Sequence, residues 1–167
     1  MRRKVSFTII LSVFLTVFGF YAVSAQTKKD IKQIPDLELK LNNGETVKLK
    51  ELKGKVVLLD FWYRTCKYCV KSIPGLIELQ EEFKDDLVVI GVNHIDDEQD
   101  VTEYIEYKKM NYLSTYRTGE NIYQDLGVSL FPTVILYDKD GNLIKVKSGH
   151  TEGGTDSLRK AIKKALK

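Results

Sequence analysis

The chain contains the stretch Asp60-Phe61-Trp62-Tyr63-Arg64-Thr65-Cys66-Lys67-Tyr68-Cys69, which holds the only two cysteines among its 167 residues. An apolar run at residues 56–61 precedes them and is typical of a strand buried on both faces. A helical pattern of apolar residues begins directly after them. Two thiols one helical turn apart, at a strand-to-helix junction, indicate a redox or metal site.

The N-terminal 25 residues have the order of regions found in a secretory signal peptide. Arg2, Arg3 and Lys4 are followed by a predominantly apolar stretch at 5–23, and small residues end it at Ala25. We predict cleavage after Ala25, and a retained membrane anchor is the alternative. In both cases the folded part is expected outside the cytoplasm, in the periplasm or at the outer face of the cytoplasmic membrane.

The charge of the chain carries little information about partners. Lys and Arg number 26 and Asp and Glu number 23, and that excess of three equals the three basic residues at positions 2–4. The remaining chain is formally neutral, so charge gives no support for nucleic-acid binding.

The expected compartment bears on how the cysteines are interpreted. Disulfides form and persist outside the cytoplasm. A disulfide between cysteines with only two residues between them closes a loop too small to stabilise a fold effectively, because the stabilisation grows with loop length. A reactive pair is therefore favoured over a structural disulfide.

Apolar periodicity predicts an α/β domain at 37–167, after a polar linker at 26–36. Leucines alternating with polar residues around Asn43-Gly44 predict an N-terminal β-hairpin. A helix at 67–83 between buried strands at 56–61 and 87–92 predicts a βαβ unit. Further elements are predicted as a helix around 101–105, a short strand at 113–116, a helix at 120–126, hairpin strands at 133–137 and 143–147, and a final helix capped by Thr155 or Asp156. The predicted fold is a mixed sheet with helices on both faces.

The segment Asp60-Phe61-Trp62-x-x-x-Cys66-x-x-Cys69 closely resembles the active-site segment of thioredoxins. With the signal sequence, the hairpin, Pro74 and the later stretch Val128-x-x-Phe131-Pro132-Thr133, the chain resembles the extracytoplasmic TlpA/ResA-like branch of the thioredoxin-like superfamily. The similarity covers about residues 35–167. It implies a thioredoxin fold with an N-terminal β-hairpin extension, and thiol–disulfide exchange.

The resemblance implies a role for each position of the motif. Cys66 would be the exposed nucleophile at the helix N-terminus, and Cys69 the buried thiol that resolves the mixed disulfide. Asp60 would be the buried carboxylate below them. Pro132 would be a cis-proline facing the disulfide, and the backbone of Phe131 would bind the client.

The chemistry of these residues supports the same roles. Unpaired N–H groups and the helix dipole favour a thiolate at Cys66, and Lys67 adds a nearby cation. Cys69 must lose its proton before it attacks the mixed disulfide. A carboxylate in an apolar strand has a raised pKa, so Asp60 can accept that proton.

Four further positions complete the predicted client surface or depart from the resemblance. Trp62, Lys67 and Tyr68 are predicted to bind the client beside Phe131. Lys67-Tyr68 stands where thioredoxins usually carry Gly-Pro, which leaves the reduction potential and the direction of electron flow open. Ser72 stands where some members of the branch carry a Glu, so Asp60 would have to fill that role.

We predict a thiol–disulfide oxidoreductase that acts on protein clients, as a reductase supplied by a membrane-bound electron-donor protein. A disulfide oxidase or isomerase on the same site is the first alternative. A copper chaperone and a thiol peroxidase are weaker ones, because His94 and His150 fit no compact metal pattern and no proline precedes Cys66 nearby. Both histidines are interpreted as loop or packed residues. No metal, cofactor or nucleic acid is expected, and membrane contact only through a retained N-terminal segment.

Overall fold

The computed structural model describes residues 31–167, apart from the side chains of residues 120 and 121. The predicted signal peptide and the first part of the predicted linker lie outside the described residues. The described elements are β1 (Glu38–Lys40), β2 (Thr46–Lys48), a 3₁₀ helix (Leu49–Leu52), β3 (Val56–Trp62), α1 (Lys67–Glu82), β4 (Leu87–Asn93), α2 (Glu98–Lys108), β5 (Leu113–Ser114), α3 (Glu120–Asp125), β6 (Thr133–Tyr137), β7 (Leu143–Ser148) and α4 (Gly154–Ala165). Most predicted elements are confirmed to within one or two residues.

The main sheet has five strands in the order β5-β4-β3-β6-β7. The central strand β3 is parallel to β4 and antiparallel to β6, and every residue of β3 is buried. The carboxyl ends of β3 and β4 therefore meet the start of β6 at one edge of the sheet. This edge, which we call the catalytic edge, carries the cysteine pair after β3 and Phe131-Pro132 before β6. The predicted thioredoxin fold with a mixed central sheet is confirmed.

The predicted N-terminal hairpin is also confirmed. β1 and β2 form a separate two-stranded antiparallel sheet, in which Leu39 faces Val47. The segment before it lies against the domain, since the N–H of Ile34 donates to the Gly141 carbonyl at 2.7 Å and Ile34 is buried.

The sheet separates two apolar clusters. The helix-side cluster contains residues of α1, α2 and α4 together with one face of β3, among them Leu58, Trp62, Cys66, Cys69, Ile73, Val101, Ile105, Leu158 and Ile162. The hairpin-side cluster contains the other face of β3, the N-terminal hairpin and α3, among them Leu39, Val57, Leu59, Phe61, Ile90, Val92, Tyr123 and Ile135. Alternation along β3 produces this division, because successive side chains of a strand point to opposite faces.

One predicted helix start is wrong. α4 begins at Gly154, after Gly153 in the left-handed conformation, and no side chain caps it. Asp156 lies inside the first turn, where its carboxylate binds Arg159. Gly153 is the N-cap and Gly154 the first helical residue, so the helix begins before Thr155 and Asp156, the two predicted caps. Among residues 31–167, no helix combines the length and the apolar character needed to cross a bilayer.

Candidate active site

The two cysteines lie at the N-terminus of α1 and are joined by a disulfide. Cys66 is the N-cap residue, and its Sγ accepts the N–H of Cys69 at 3.2 Å. Cys66 is 6% exposed and Cys69 is fully buried, so Cys66 is the more accessible thiol of a largely buried pair. The same N–H can stabilise a Cys66 thiolate when the disulfide is reduced, because a charged acceptor strengthens the hydrogen bond.

Asp60 lies on β3 on the face that the cysteine helix covers. It alternates with Leu58 and Trp62, which both belong to the helix-side cluster. The side chain is 1% exposed, and neither carboxylate oxygen has a hydrogen-bond partner. Burial without a compensating partner disfavours the charged form, which raises the pKa of Asp60 to about 7. The carboxyl group is thus suited to gain and lose a proton near neutral pH.

Phe131-Pro132 lies at the catalytic edge, and the peptide bond between the two residues is cis. The ladder between β3 and β6 ends where Phe61 faces Thr133, two residues after Phe131. Pro132 is anchored by its carbonyl, which accepts the Gly149 N–H at 2.7 Å. In the described part of the chain, no hydrogen bond involves the backbone N–H or C=O of Phe131. The backbone of Phe131, just before β6, is therefore free to pair with an extended client segment.

The prediction that Trp62 binds the client at the surface is wrong. Its side chain is 0% exposed, and the indole N–H donates to Ser114 Oγ at 2.9 Å. The indole also stacks on Tyr104, with ring centroids 5.7 Å apart. A side chain at Gly91 would collide with it, since an added Cβ would lie 2.8 Å from the indole nitrogen. Residue 62 is still part of β3, where successive side chains point to opposite faces, and its side chain points to the face that the helices cover rather than to solvent.

Lys67 and Tyr68, between the two cysteines, are exposed at the surface. The Tyr68 ring is 55% exposed and stacks on His150, with centroids 6.3 Å apart. Lys71 lies 5.7 Å from the centre of the same ring. His150 is therefore next to the cysteine helix, which the sequence interpretation missed. The connection of β7 to α4 passes the catalytic edge, and only the topology shows that.

Asp96 was also missed as part of the site. Its Oδ2 accepts the backbone N–H of Arg64 at 2.6 Å and the side-chain amide of Asn93 at 2.8 Å. Asp96 and Asp97 are both residue types that can cap a helix, but Asp97 alone caps α2, by accepting the Asp100 N–H. Asp96 instead fixes the turn that leads from β3 to Cys66.

His94 follows β4 and lies in an aromatic group at the catalytic edge. Its ring is 4.5 Å from that of Tyr123 and 5.5 Å from that of Phe131, measured between centroids. Tyr63 packs on the other flank of Phe131, at 5.3 Å. The parallel pairing of β3 and β4 is the signal that could have placed His94 here, because it brings the ends of both strands together.

Within 31–167, no three or more His, Cys, Asp or Glu side chains are grouped so that they could hold a metal ion. Ser72, at the position where a Glu was considered, donates its hydroxyl to the Tyr68 and Cys69 carbonyls within α1. Asp60 is a buried acidic side chain on the face of β3 that packs with Cys66 and Cys69.

The sequence and the fold match known proteins over nearly the whole chain. The family model described as Redoxin matches residues 29–162. The thiol-disulfide oxidoreductase ResA of Bacillus cereus is 30% identical over 170 residues, which cover 98% of this chain and 97% of that protein. The thioredoxin-like protein YneN of Bacillus subtilis is 29% identical over 161 residues, covering 89% and 92%. A solved structure, a putative thiol:disulfide interchange protein DsbE from Chlorobium tepidum, matches with a TM-score of 0.74 and 27% identity, covering 81% of this chain and 96% of that one.

Proposed function

The chain belongs to the Redoxin family, as a TlpA/ResA-like thiol-disulfide oxidoreductase of the thioredoxin superfamily, and from that premise we propose that it reduces disulfides of protein clients outside the cytoplasm. The observation that carries the proposal is the cysteine pair at the N-terminus of α1, above a buried carboxyl group that has no partner. The basic, apolar and small-residue order of the first 25 residues supports the location.

In the proposed reaction the thiolate of Cys66 attacks one sulfur of a client disulfide. The client's other sulfur leaves as a thiolate, and a mixed disulfide joins Cys66 to the client. Cys69 then loses its proton and attacks the Sγ of Cys66, which releases the second client sulfur. Two electrons have passed to the client, and Cys66 and Cys69 end as the disulfide.

Asp60 is the proposed acceptor of the Cys69 proton. Its pKa of about 7 gives it a substantial ionised fraction at neutral pH, and the absence of hydrogen bonds leaves both oxygens available. The two groups belong to the same packed region, since Cys69 and the neighbours of Asp60 on its strand share the helix-side cluster. The proton passes directly or through one water molecule.

The direction of electron flow distinguishes the proposal from an oxidase or isomerase on the same site. The chemistry of Cys66, Cys69 and Asp60 is reversible, so geometry sets no direction. Resemblance to the TlpA/ResA-like branch supports reduction, and a reductase in an oxidising compartment needs an electron donor. We propose a membrane-bound donor protein for that reason.

The test is alkylation of intact cells that produce the chain, followed by separation of its reduced and oxidised forms. We expect Cys66 and Cys69 to be mostly reduced, and modified by a reagent that does not cross the cytoplasmic membrane. A mostly oxidised pair would favour the oxidase or isomerase. A reduced pair that only a membrane-permeant reagent modifies would place the domain in the cytoplasm.

A Cys69→Ser variant tests whether proteins are the clients. The variant cannot resolve a mixed disulfide, so we expect reducible complexes between Cys66 and client proteins. The double variant with Cys66→Ser is the matched control and should form none. If Cys69→Ser traps no protein, exchange with protein clients is ruled out.

A further inference from the structure

A cavity of about 190 Å³ opens beside Phe131 at the catalytic edge. It is lined by His94, Tyr123, Gln124, Val128, Ser129 and Phe131. Three of these side chains are rings that contact one another, with Tyr123 and Phe131 centroids 5.5 Å apart. Tyr123 is held in place because its hydroxyl donates to the Val92 carbonyl at 3.1 Å. The cavity therefore has fixed aromatic walls.

Phe131 links this cavity to the cysteine pair. Its ring packs against Tyr63, and the Tyr63 carbonyl accepts the N–H of Cys66 at 3.1 Å. Phe131 is also the residue before Pro132 whose backbone N–H and C=O are free to pair with an extended segment. Leu130, directly before it, is 62% exposed. A client strand bound at Phe131 would thus run between the disulfide and the cavity.

The alternation of side chains fixes which client residue can enter the cavity. Cys66 and Cys69 belong to the helix-side cluster, whereas Tyr123 in the cavity wall belongs to the hairpin-side cluster. Successive side chains of an extended strand point to opposite faces. When the client cysteine points to Cys66, its immediate neighbours point to the hairpin side, and residues two positions away do not.

We propose that the cavity is a specificity pocket for an apolar or aromatic side chain next to the client cysteine. This inference rests on the proposed function and names the kind of client that the same site prefers. A cavity of about 150 Å³ can hold a benzene molecule, so the observed volume suits one ring or one leucine-sized side chain. Among the side chains that the structure describes, no Asp, Glu, Lys or Arg lines the cavity. A carboxylate or ammonium group of a client would therefore lose its hydration there without gaining a strong ion-pair partner.

The test measures how fast the reduced protein cleaves short peptides linked as symmetrical disulfide dimers. Each peptide carries one cysteine, flanked by Gly on both sides, or with Phe, Leu or Asp at one flanking position. The reaction converts one dimer to two peptide thiols and leaves the Cys66–Cys69 disulfide. We expect the best Phe or Leu peptide to react about tenfold faster than the Gly peptide, because it buries one apolar side chain. Phe placed two residues from the cysteine should give no gain.

Filling the cavity should remove the preference. Val128→Phe places a ring inside it, and Ser129→Trp covers its rim from an exposed position, which provides a second variant should the first fail to fold. We expect the ratio of Phe-peptide to Gly-peptide rates to fall to about 1 in both. The matched control is Val146→Phe on the outer strand β7, where the side chain is 45% exposed, and it should keep the wild-type ratio.

The outcomes separate the pocket from the proposed function. If all peptides react at one rate, if Phe two residues away accelerates equally, or if the preference survives both variants, the pocket inference is wrong. If the protein reduces bis(2-hydroxyethyl) disulfide but none of the peptides, the proposed action on protein clients fails, and the pocket with it.

Discussion

Two aspartates near the cysteine pair are both buried, and the protein treats them in opposite ways. Asp60 is 1% exposed and Asp96 is 8% exposed. Asp96 accepts hydrogen bonds from Arg64 and Asn93, and the Arg64 guanidinium lies 3.8 Å from its Oδ1. Asp60 has no hydrogen bond on either oxygen.

The difference shows which carboxylate builds the site and which one can react. A buried carboxylate that accepts hydrogen bonds holds its donors in place. Asp96 thereby fixes the turn before Cys66. A buried carboxylate without donors disfavours its charge, so burial raises the pKa of Asp60 to about 7. Asp60 carries a proton that can move at neutral pH, at a cost in stability.

The largest effect that we expect from changing one of these aspartates is on the rate at which Cys69 resolves the mixed disulfide. Asp60→Asn keeps the shape of the side chain but cannot accept the Cys69 proton. We expect resolution by Cys69 to slow by about 100- to 1000-fold at pH 7, and attack by Cys66 to change far less. Rapid alkylation during a single turnover with a model disulfide measures both steps.

Asp96→Asn is the matched control, since it removes one carboxylate charge from the other member of the pair. Resolution in that variant should stay within a few-fold of the wild-type rate. Equal slowing in both variants would mean that the lost negative charge, rather than proton transfer through Asp60, sets the rate.

The next effect concerns stability and pH. Asp60 binds its proton up to about pH 7 in the folded protein, whereas an ordinary Asp side chain, as in the unfolded chain, has a pKa of 3.8. Between these values the folded state holds more protons, so stability falls as pH rises through this window. The full penalty above pH 7 is on the order of 4 kcal/mol.

An asparagine side chain does not titrate, so Asp60→Asn should be more stable than the wild type at pH 8 and gain little at pH 4. Urea unfolding of the oxidised proteins at several pH values measures the difference. A difference that stayed constant with pH would contradict the raised pKa of Asp60. Asp96→Asn, in contrast, should destabilise the protein at pH 8.

The contrast between the two aspartates also explains how far the sequence could predict the site. Asp60 was identified because its neighbours in the sequence determine its environment. The apolar run around it already predicts a buried strand, and burial of a carboxyl group raises its pKa. The βαβ unit and the hairpin were predicted from periodicity in the same way. The placement of Phe131-Pro132 opposite the cysteines needed the family resemblance, because more than sixty residues separate them.

Asp96 could not be identified locally. Asp96 and Asp97 are adjacent and both precede α2, so the local sequence does not show which of them caps the helix. The segment after β3 brings the Arg64 N–H to Asp96, and that contact between distant segments leaves Asp97 as the cap. Trp62 is a different case, because alternation with Leu58 and Asp60 already places it on the covered face. Its misassignment came from giving the resemblance more weight than the strand period.

A smaller effect on stability should show whether the Asp96 carboxylate holds the turn through its negative charge or through the hydrogen bonds that it accepts. Both hydrogen bonds end on the same oxygen, Oδ2. An asparagine in its place can keep that oxygen, so Asp96→Asn should cost only about 1 kcal/mol, while Asp96→Ala leaves two donors unpaired and should cost about 2–4 kcal/mol. Urea unfolding at pH 7 compares them. Equal losses would show that the charge, rather than the acceptor, holds the turn.

The smallest expected effect comes from the side chain of Arg64. Its guanidinium pairs with Asp100 at 2.8 Å, but the two side chains are 41% and 34% exposed, so Arg64→Ala should cost less than about 1 kcal/mol. The backbone N–H of residue 64 still reaches Asp96 in that variant. Since exposed ion pairs are screened, this loss should shrink in about 1 M NaCl, while the loss in Asp96→Ala should not. If Arg64→Ala cost as much as Asp96→Ala, Asp96 would be stabilised by the guanidinium and not by the backbone. The turn before Cys66 would then depend on an ion pair that salt can weaken.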